Sequence, residues 1–334
     1  MRPGREIAMK LVSFRVPTSL GPQTRIGAVG PDERIVDLAA AYRARLLSAG
    51  LTEGAAARIS AALLPSDMVD FIEGADHSLE AAHEAMEWAA HIDPKDRDTP
   101  IFADPSRLTM LPPVPQPPLL RDFMGFETHL RNIYPRLGRE IPPVWYEMPV
   151  YYKGNTASIA THEDNVPIPS YATALDFEFE LALVIGRGGH DIARDSALSH
   201  IFGYMIYNDF SARDIQSREM SVGLGPAKGK DFSRGHVLGP WLVTADEIPD
   251  IYGVGMVARV NGEVWCDTSA STIHWRFEDM IAHASMGEHL RAGEVFGSGT
   301  VGDGSAMERG LSLHVGDVVE LEVAGLGLLR NRVV

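Results

Sequence analysis

Residues 9–16 and 25–38 carry the apolar content of strands, and the turn signal Gly30-Pro31-Asp32-Glu33 predicts that the second run folds back on itself. From 38 to 50 and from 52 to 90, apolar residues recur at three- and four-residue spacing among Ala, Leu and Glu, which predicts helices. This module ends at residues 111–118, where five prolines in seven positions force an extended connection. Beyond it, short apolar runs at 254–260, 264–267 and 318–323 alternate with Gly and Pro turns, interrupted by brief helices near 211–220 and 277–289. The expected fold class is α+β, with an α+β N-terminal domain over 1–116 and a mainly β domain over 117–334.

One run stands apart. Residues 176–186 read as a buried strand, yet they carry Glu178 and Glu180 two positions apart. Strand side chains alternate between faces, so the two glutamates share one face while Phe177, Phe179 and Leu181 take the other. Anions that close repel unless a cation lies between them, and an all-oxygen cluster is what a hard divalent ion such as Mg²⁺ or Ca²⁺ selects. Taken alone, the pattern also fits a strand with one wet face.

Composition narrows the partners. A formal net charge of −15 over 334 residues repels phosphate backbones and anionic lipid, which argues against nucleic acid and membrane surfaces and means that a small acidic substrate needs local positive charge. The single cysteine, Cys266, excludes a disulfide framework and a Cys-based zinc knuckle. With no apolar run of about 20 residues and no apolar core in its first residues, the chain is expected to be cytoplasmic. P-loop, nucleophile-elbow and H-E-x-x-H patterns are absent, and Asp231 follows Gly229-Lys230 where a P-loop needs a hydroxyl. Histidines such as His77, His83 and His91 read as surface or packing residues.

Two further segments carry chemistry. Residues 206–216 end an apolar strand on Asp209 and open a helix on which Arg213 and Gln216 share a face, although Asp209 also suits a helix cap. Asp122 and His129 lie seven residues apart, about two helical turns, so a helix there places both on one side.

Asp122 with His129, the strand at 175–180, residues 208–216, Gly229-Lys230 and Gly297-Ser298-Gly299-Thr300 together resemble the fumarylacetoacetate hydrolase superfamily over 119–334, most closely its fumarylacetoacetase-type members at the Asp-x₆-His segment. The resemblance implies a mixed β-sandwich roll, a small N-terminal domain and a homodimer. It also implies that Asp122, Glu178, Glu180 and Asp209 hold Mg²⁺ or Ca²⁺, with Mn²⁺ as another occupant. His129 matches the general base and Glu308 its orienting partner, while Arg213, Gln216 and Lys230 match groups that stabilise substrate charge. Tyr152 and Thr300 match substrate-side residues, and the arginine for a substrate carboxylate falls at Arg136 or Arg139. Met124 and Met220 stand where fumarylacetoacetase has tyrosines, which makes the pocket less polar.

The implied reaction is metal-dependent hydrolysis of a carbon–carbon bond in a small β-diketo acid, with His129 activating water. The alternative is a lyase or isomerase working through the same metal enolate: a β-keto acid decarboxylase, a keto-deoxy sugar acid dehydratase or a dienedioate isomerase. A hydrolase needs a base for water, so the pairing of His129 with Glu308 tips the expectation toward hydrolysis.

Overall fold

The computed structural model describes residues 9–30, 32–92 and 101–334. Strands β1 (Lys10–Val16), β2 (Gln23–Val29) and β3 (Ile35–Asp37) form an antiparallel meander. Pro31 of the expected β2–β3 turn lies outside the described residues. Asp37 ends β3 and caps α1 (Leu38–Ser48), its carboxylate accepting from Ala40 N at 3.0 Å. The helical stretch expected over 52–90 is three helices, α2 (Glu53–Leu63), α3 (Met68–Glu73) and α4 (Ala75–Ala90). Pro65 cannot continue α2, and Asp67 starts α3 by accepting from the amides of Val69 and Asp70. Two short strands, β4 (Phe102–Ala103) and β5 (Thr109–Leu111), return to β3 and β1.

After the proline connection come β6 (Leu120–Phe123), α5 (Glu127–Ile133), β7 (Tyr151–Gly154), β8 (Ile159–Ala160), β9 (Asn165–Val166), β10 (Leu175–Asp176) and β11 (Phe179–Ile185). A short α6 (Arg194–Ala197) leads to β12 (Ile201–Asp209), β13 (Ser211–Ala212), α7 (Arg213–Met220) and β14 (His236–Thr244). The chain closes with β15 (Gly255–Val260), β16 (Glu263–Ser269), α8 (Phe277–Ser285), β17 (Val295–Gly297), β18 (Val318–Val323) and β19 (Gly327–Val333).

Twelve strands make one mixed sheet in the order β4-β3-β2-β1-β14-β12-β11-β17-β6-β7, with β5 on β1 and β8 on β14. Lys10 and Leu11 of β1 pair with Val243 and Leu242 of β14, so the sheet runs across the proline connection. A second sheet, β16-β15-β18-β19-β9, covers one face, and helices α1–α4 cover part of the other. The fold is an α+β, mixed β-sandwich roll with a small α+β N-terminal module. Among the described residues no helix is long and apolar enough to cross a membrane.

Strand β11 shows how the pattern builds the layers. Leu181, Leu183 and Ile185 enter the core between the two sheets, while Ala182 and Val184 enter the core beneath the helices. The strand expected over 176–186 is broken at Phe177 and Glu178, because the Glu178 amide donates to the Asn208 side chain at 3.1 Å instead of continuing the ladder. Phe177 and Phe179 still point into the inter-sheet core, leaving the two glutamates on the helix face.

Candidate metal centre and active site

Strand register alone gathers the acidic side chains. Asp122 lies opposite Gly297, Gly297 opposite Ala182, and Glu180 opposite Tyr207, so Asp122, Glu180 and Asp209 share the helix face of the large sheet with Glu178. Asp122, Glu178, Glu180 and Asp209 each contribute one oxygen to a group whose atoms lie within 4.8 Å of one another, and all four residues are buried. Asp122 and His129 do not share a helix as their spacing suggested. Asp122 belongs to β6, whose backbone is claimed by β7 and β17, and His129 belongs to α5.

Cations reach one side of this cluster. Lys230 Nζ, itself buried, donates to Glu178 Oε2 and to Asp209 Oδ2, and Arg213 Nη1 lies 2.7 Å from Glu178 Oε1. Burial raises the affinity of Glu178 for a proton, yet Arg213 and Lys230 outweigh it and hold the carboxyl below its ordinary range. Asp209 is held low against burial by Lys230 and then by His236, whose Nδ1 stands 3.2 Å from Asp209 Oδ1. Asp122 and Glu180 have no ion-pair partner among the described residues: burial first, then the nearby anions Asp209 and Asp122 respectively, push both well above the usual carboxylate range, against a weaker pull on Asp122 from Glu180 and Lys230.

His129 Nδ1 stands 3.1 Å from Glu308 Oε2, and His129 Nε2 stands 3.9 Å from Glu178 Oε1. Glu308 is fixed by the Asn132 side chain, the amides of Asp303 and Ser305, and the Ser305 hydroxyl, at 2.9 to 3.1 Å. Tyr152 OH donates to Asp209 Oδ2 at 2.7 Å, and Thr300 Oγ1 donates to Glu180 Oε1 at 3.4 Å. Gln216 accepts from Arg213 Nη1 at 3.1 Å. Arg136 and Arg139 lie exposed after α5 and form no ion pair among the described residues, so neither joins the cluster here.

Two nearby groups, His236 and Asp176, have roles the sequence reading does not assign. His236 is buried between Asp209 and Asp231, with Tyr207 OH 2.8 Å from its Nδ1. Nothing in the spacing of a lone histidine announces that role. Asp176 was readable, because it continues the alternation of Glu178 and Glu180 onto the same face.

Two observations test whether a cation belongs here. Among the described residues Asp122 Oδ1 is buried without a hydrogen-bond partner, and all four donors are hard carboxylate oxygens. Such a set fits a divalent ion of the Mg²⁺, Mn²⁺ or Ca²⁺ type.

The large sheet of this mixed β-roll carries a buried carboxylate centre beside a histidine–glutamate pair, a set of metal-ligating and acid–base groups suited to an enzyme. The chain belongs to the fumarylacetoacetate hydrolase family, whose model, described as Fumarylacetoacetate (FAA) hydrolase C-terminal, matches residues 119–334. It is 32% identical over 81% of its length, and 79% of the relative's, to the oxaloacetate tautomerase fahd2, mitochondrial, of Xenopus laevis. To the oxaloacetate tautomerase YisK of Bacillus subtilis it is 27% identical, over 92% of this chain and 95% of the other. A solved structure of fumarylpyruvate hydrolase from Pseudomonas aeruginosa, in complex with Mn²⁺ and pyruvate, matches 65% of this chain and 89% of its own with a TM-score of 0.57. At 24% identity that likeness shows the fold alone.

These relatives overturn the expected carbon–carbon bond hydrolase, since those matched over most of the chain are named tautomerases. The expectation rested on treating the pairing of His129 with Glu308 as a water-activating device. A base in that place takes a proton from carbon equally well, so the pair does not separate hydrolysis from isomerisation.

Proposed function

We propose that this chain is a keto–enol tautomerase of small β-keto dicarboxylates, oxaloacetate foremost, working with Mg²⁺ or Mn²⁺. The observation that carries the reading is His129, buried, 3.9 Å from Glu178 of the carboxylate cluster and 3.1 Å from Glu308. Tautomerisation moves one proton between C3 and the C2 oxygen, so it needs a single acid–base group beside a site that stabilises negative charge on oxygen. A carboxylate at Nδ1 favours the proton there and leaves Nε2, the nitrogen nearer the cluster, as the basic atom. His129 Nε2 then takes the C3 proton, and the same imidazole returns a proton to the oxygen. A divalent ion held by Asp122, Glu178, Glu180 and Asp209 would supply Lewis-acid stabilisation of the enolate charge. Arg213 and Lys230 hold the ligand carboxylates in place and add positive charge for a dianionic substrate. The names of the two relatives support oxaloacetate as the substrate.

Stopped-flow ultraviolet absorbance of enol-oxaloacetate tests the proposal. With Mg²⁺ or Mn²⁺, the wild type is expected to speed enol decay above the spontaneous rate. His129→Ala is expected to lower kcat by about 10² to 10⁴ while calorimetric metal affinity holds. Enol decay at the spontaneous rate overturns the reading, and so does pyruvate accumulating as fast as the enol disappears.

A further inference from the structure

Asp176 is almost fully buried and lies on β10, outside the set of carboxylates that surround the metal centre. Its Oδ2 accepts from Arg213 Nε at 2.8 Å and from the Met307 amide at 3.2 Å, and its Oδ1 accepts from the Ala306 amide at 2.7 Å. Arg213 Nη2 stands 2.7 Å from the same carboxylate. One side chain thus ties together two segments far apart in sequence. On one side is Arg213, which reaches the ligand Glu178. On the other is the turn whose Ser305 and Glu308 form the seat of His129: Ser305 bridges to Glu178 through the backbone and donates to Glu308 Oε2 at 3.0 Å.

Glu178 also meets both sides, with Arg213 at 2.7 Å and His129 at 3.9 Å, but among the described residues Asp176 is the one carboxylate outside the metal cluster that joins Arg213 to the 305–308 turn. Arg121, equally buried, pairs with Glu294 and Glu288 away from the base. Asp231 reaches the cluster only through His236. Burying a carboxylate is costly, and this one is offset by two backbone amides and a guanidinium. Such an arrangement fixes the distance between the two segments instead of serving either one alone.

We propose that Asp176 is a positioning residue for the tautomerase reaction, holding Arg213 against Glu178 and the Ala306–Met307 turn, and with it Glu308 and His129, in one register. The kinetic part rests on the function proposed above; the structural part does not. Because Asp176 lies outside the carboxylate cluster and its hydrogen bonds go to Arg213 and the Ala306–Met307 amides, its loss acts on kcat through His129 and Arg213 and leaves the ion in place. An asparagine keeps the shape and one acceptor, but it offers an amide NH₂ where Oδ2 had met Arg213 and Met307.

The test has two arms. In the first, Asp176→Asn is expected to lower kcat about ten- to a hundredfold, with calorimetric Mn²⁺ affinity within about threefold of wild type. Its effect is expected to be far from additive with Glu308→Gln, since both act through the seat of His129. Additive losses, or wild-type turnover in Asp176→Asn, overturn the kinetic role. The second arm needs no turnover and does not depend on Asp176→Asn folding: amide hydrogen exchange in Arg213→Lys. Among the described residues Arg213 forms no hydrogen bond or ion pair with the turn, yet if Asp176 couples them, the Ala306 and Met307 amides exchange faster in this variant. Unchanged protection there overturns the coupling. If wild type shows no tautomerase activity, the functional reading fails while the exchange arm still decides the structural one.

Discussion

Four buried carboxylates share one centre, but the chain treats them as two pairs. Glu178 and Asp209 are met by Arg213, Lys230 and His236, and their proton affinity is held down despite burial. Asp122 and Glu180 have no ion pair among the described residues; Glu180 accepts from the Gly299 amide at 2.9 Å and from Thr300, the two acids lean on each other, and both are pushed up. The first pair is neutralised by the protein itself and stays charged without help. The second pair is left as an uncompensated demand for positive charge, which a divalent ion meets. One half of the centre is therefore built by folding and the other half is completed by binding.

Removing the built-in compensation is expected to have the largest effect. Lys230→Met leaves Glu178 to Arg213 and Asp209 to His236 with no cation between the two buried carboxylates, and losing one partner of a buried ion pair costs about 3 to 5 kcal/mol. Urea unfolding of metal-free protein measures it. A loss under about 1 kcal/mol would break the contrast, because it would show the pair to be as weakly compensated as the other. Next comes Glu180→Gln. The amide resembles the protonated acid that burial already favours, so metal-free stability should change little, whereas stabilisation by metal should vanish. In the wild type that stabilisation amounts to about 2.7 kcal/mol when free metal is a hundred times Kd. Melting curves with and without Mn²⁺ check both halves, and an unaltered metal-induced shift in the variant would remove Glu180 from the centre.

The compensated and uncompensated pairs differ in how far the sequence exposes them. Glu178 and Glu180 were legible because a strand has a period of two, and Phe177 and Phe179 between them could only be core. The same rule would have extended to Asp176. Asp122 with His129 was misread as helical because seven residues fit two turns, while strand pairing with β7 and β17, a tertiary event, claims Asp122. Glu308 was reached only through family resemblance, since its seat is a turn made by Asp303 and Ser305 amides that no periodicity announces. The three-way break between α2, α3 and α4 had its signals in Pro65 and Asp67, which the helical spacing overrode. The reaction was the least legible layer. A base, two cations and four carboxylates serve water attack and carbon deprotonation alike, and the choice depends on which atom is brought within reach of His129, which residue identities do not encode.

The smallest expected effect probes the uncompensated pair sterically. Gly297 sits on β17 between Asp122 and Glu180, and a Cβ there would lie 2.4 Å from Asp122 Oδ1 and 2.9 Å from Glu180 Oε2. Tyr207 Cε1 would lie 2.8 Å away as well; Gly297→Ala keeps every charge and every cation, so any change in metal binding comes from displacing these two oxygens and the phenol ring beside them. Overpacking of this kind costs about 1 to 3 kcal/mol, and tenfold weaker Mn²⁺ binding corresponds to about 1.4 kcal/mol of it. Gly302→Ala is the control, because its Cβ would meet Thr128 Cγ2 at 2.6 Å, against α5 and away from the carboxylates. Calorimetry should show weakened Mn²⁺ binding in Gly297→Ala alone, although both variants melt earlier. Equal loss of affinity in the two would mean that the metal centre senses general strain in the roll, and the division into a folded half and a bound half would not hold.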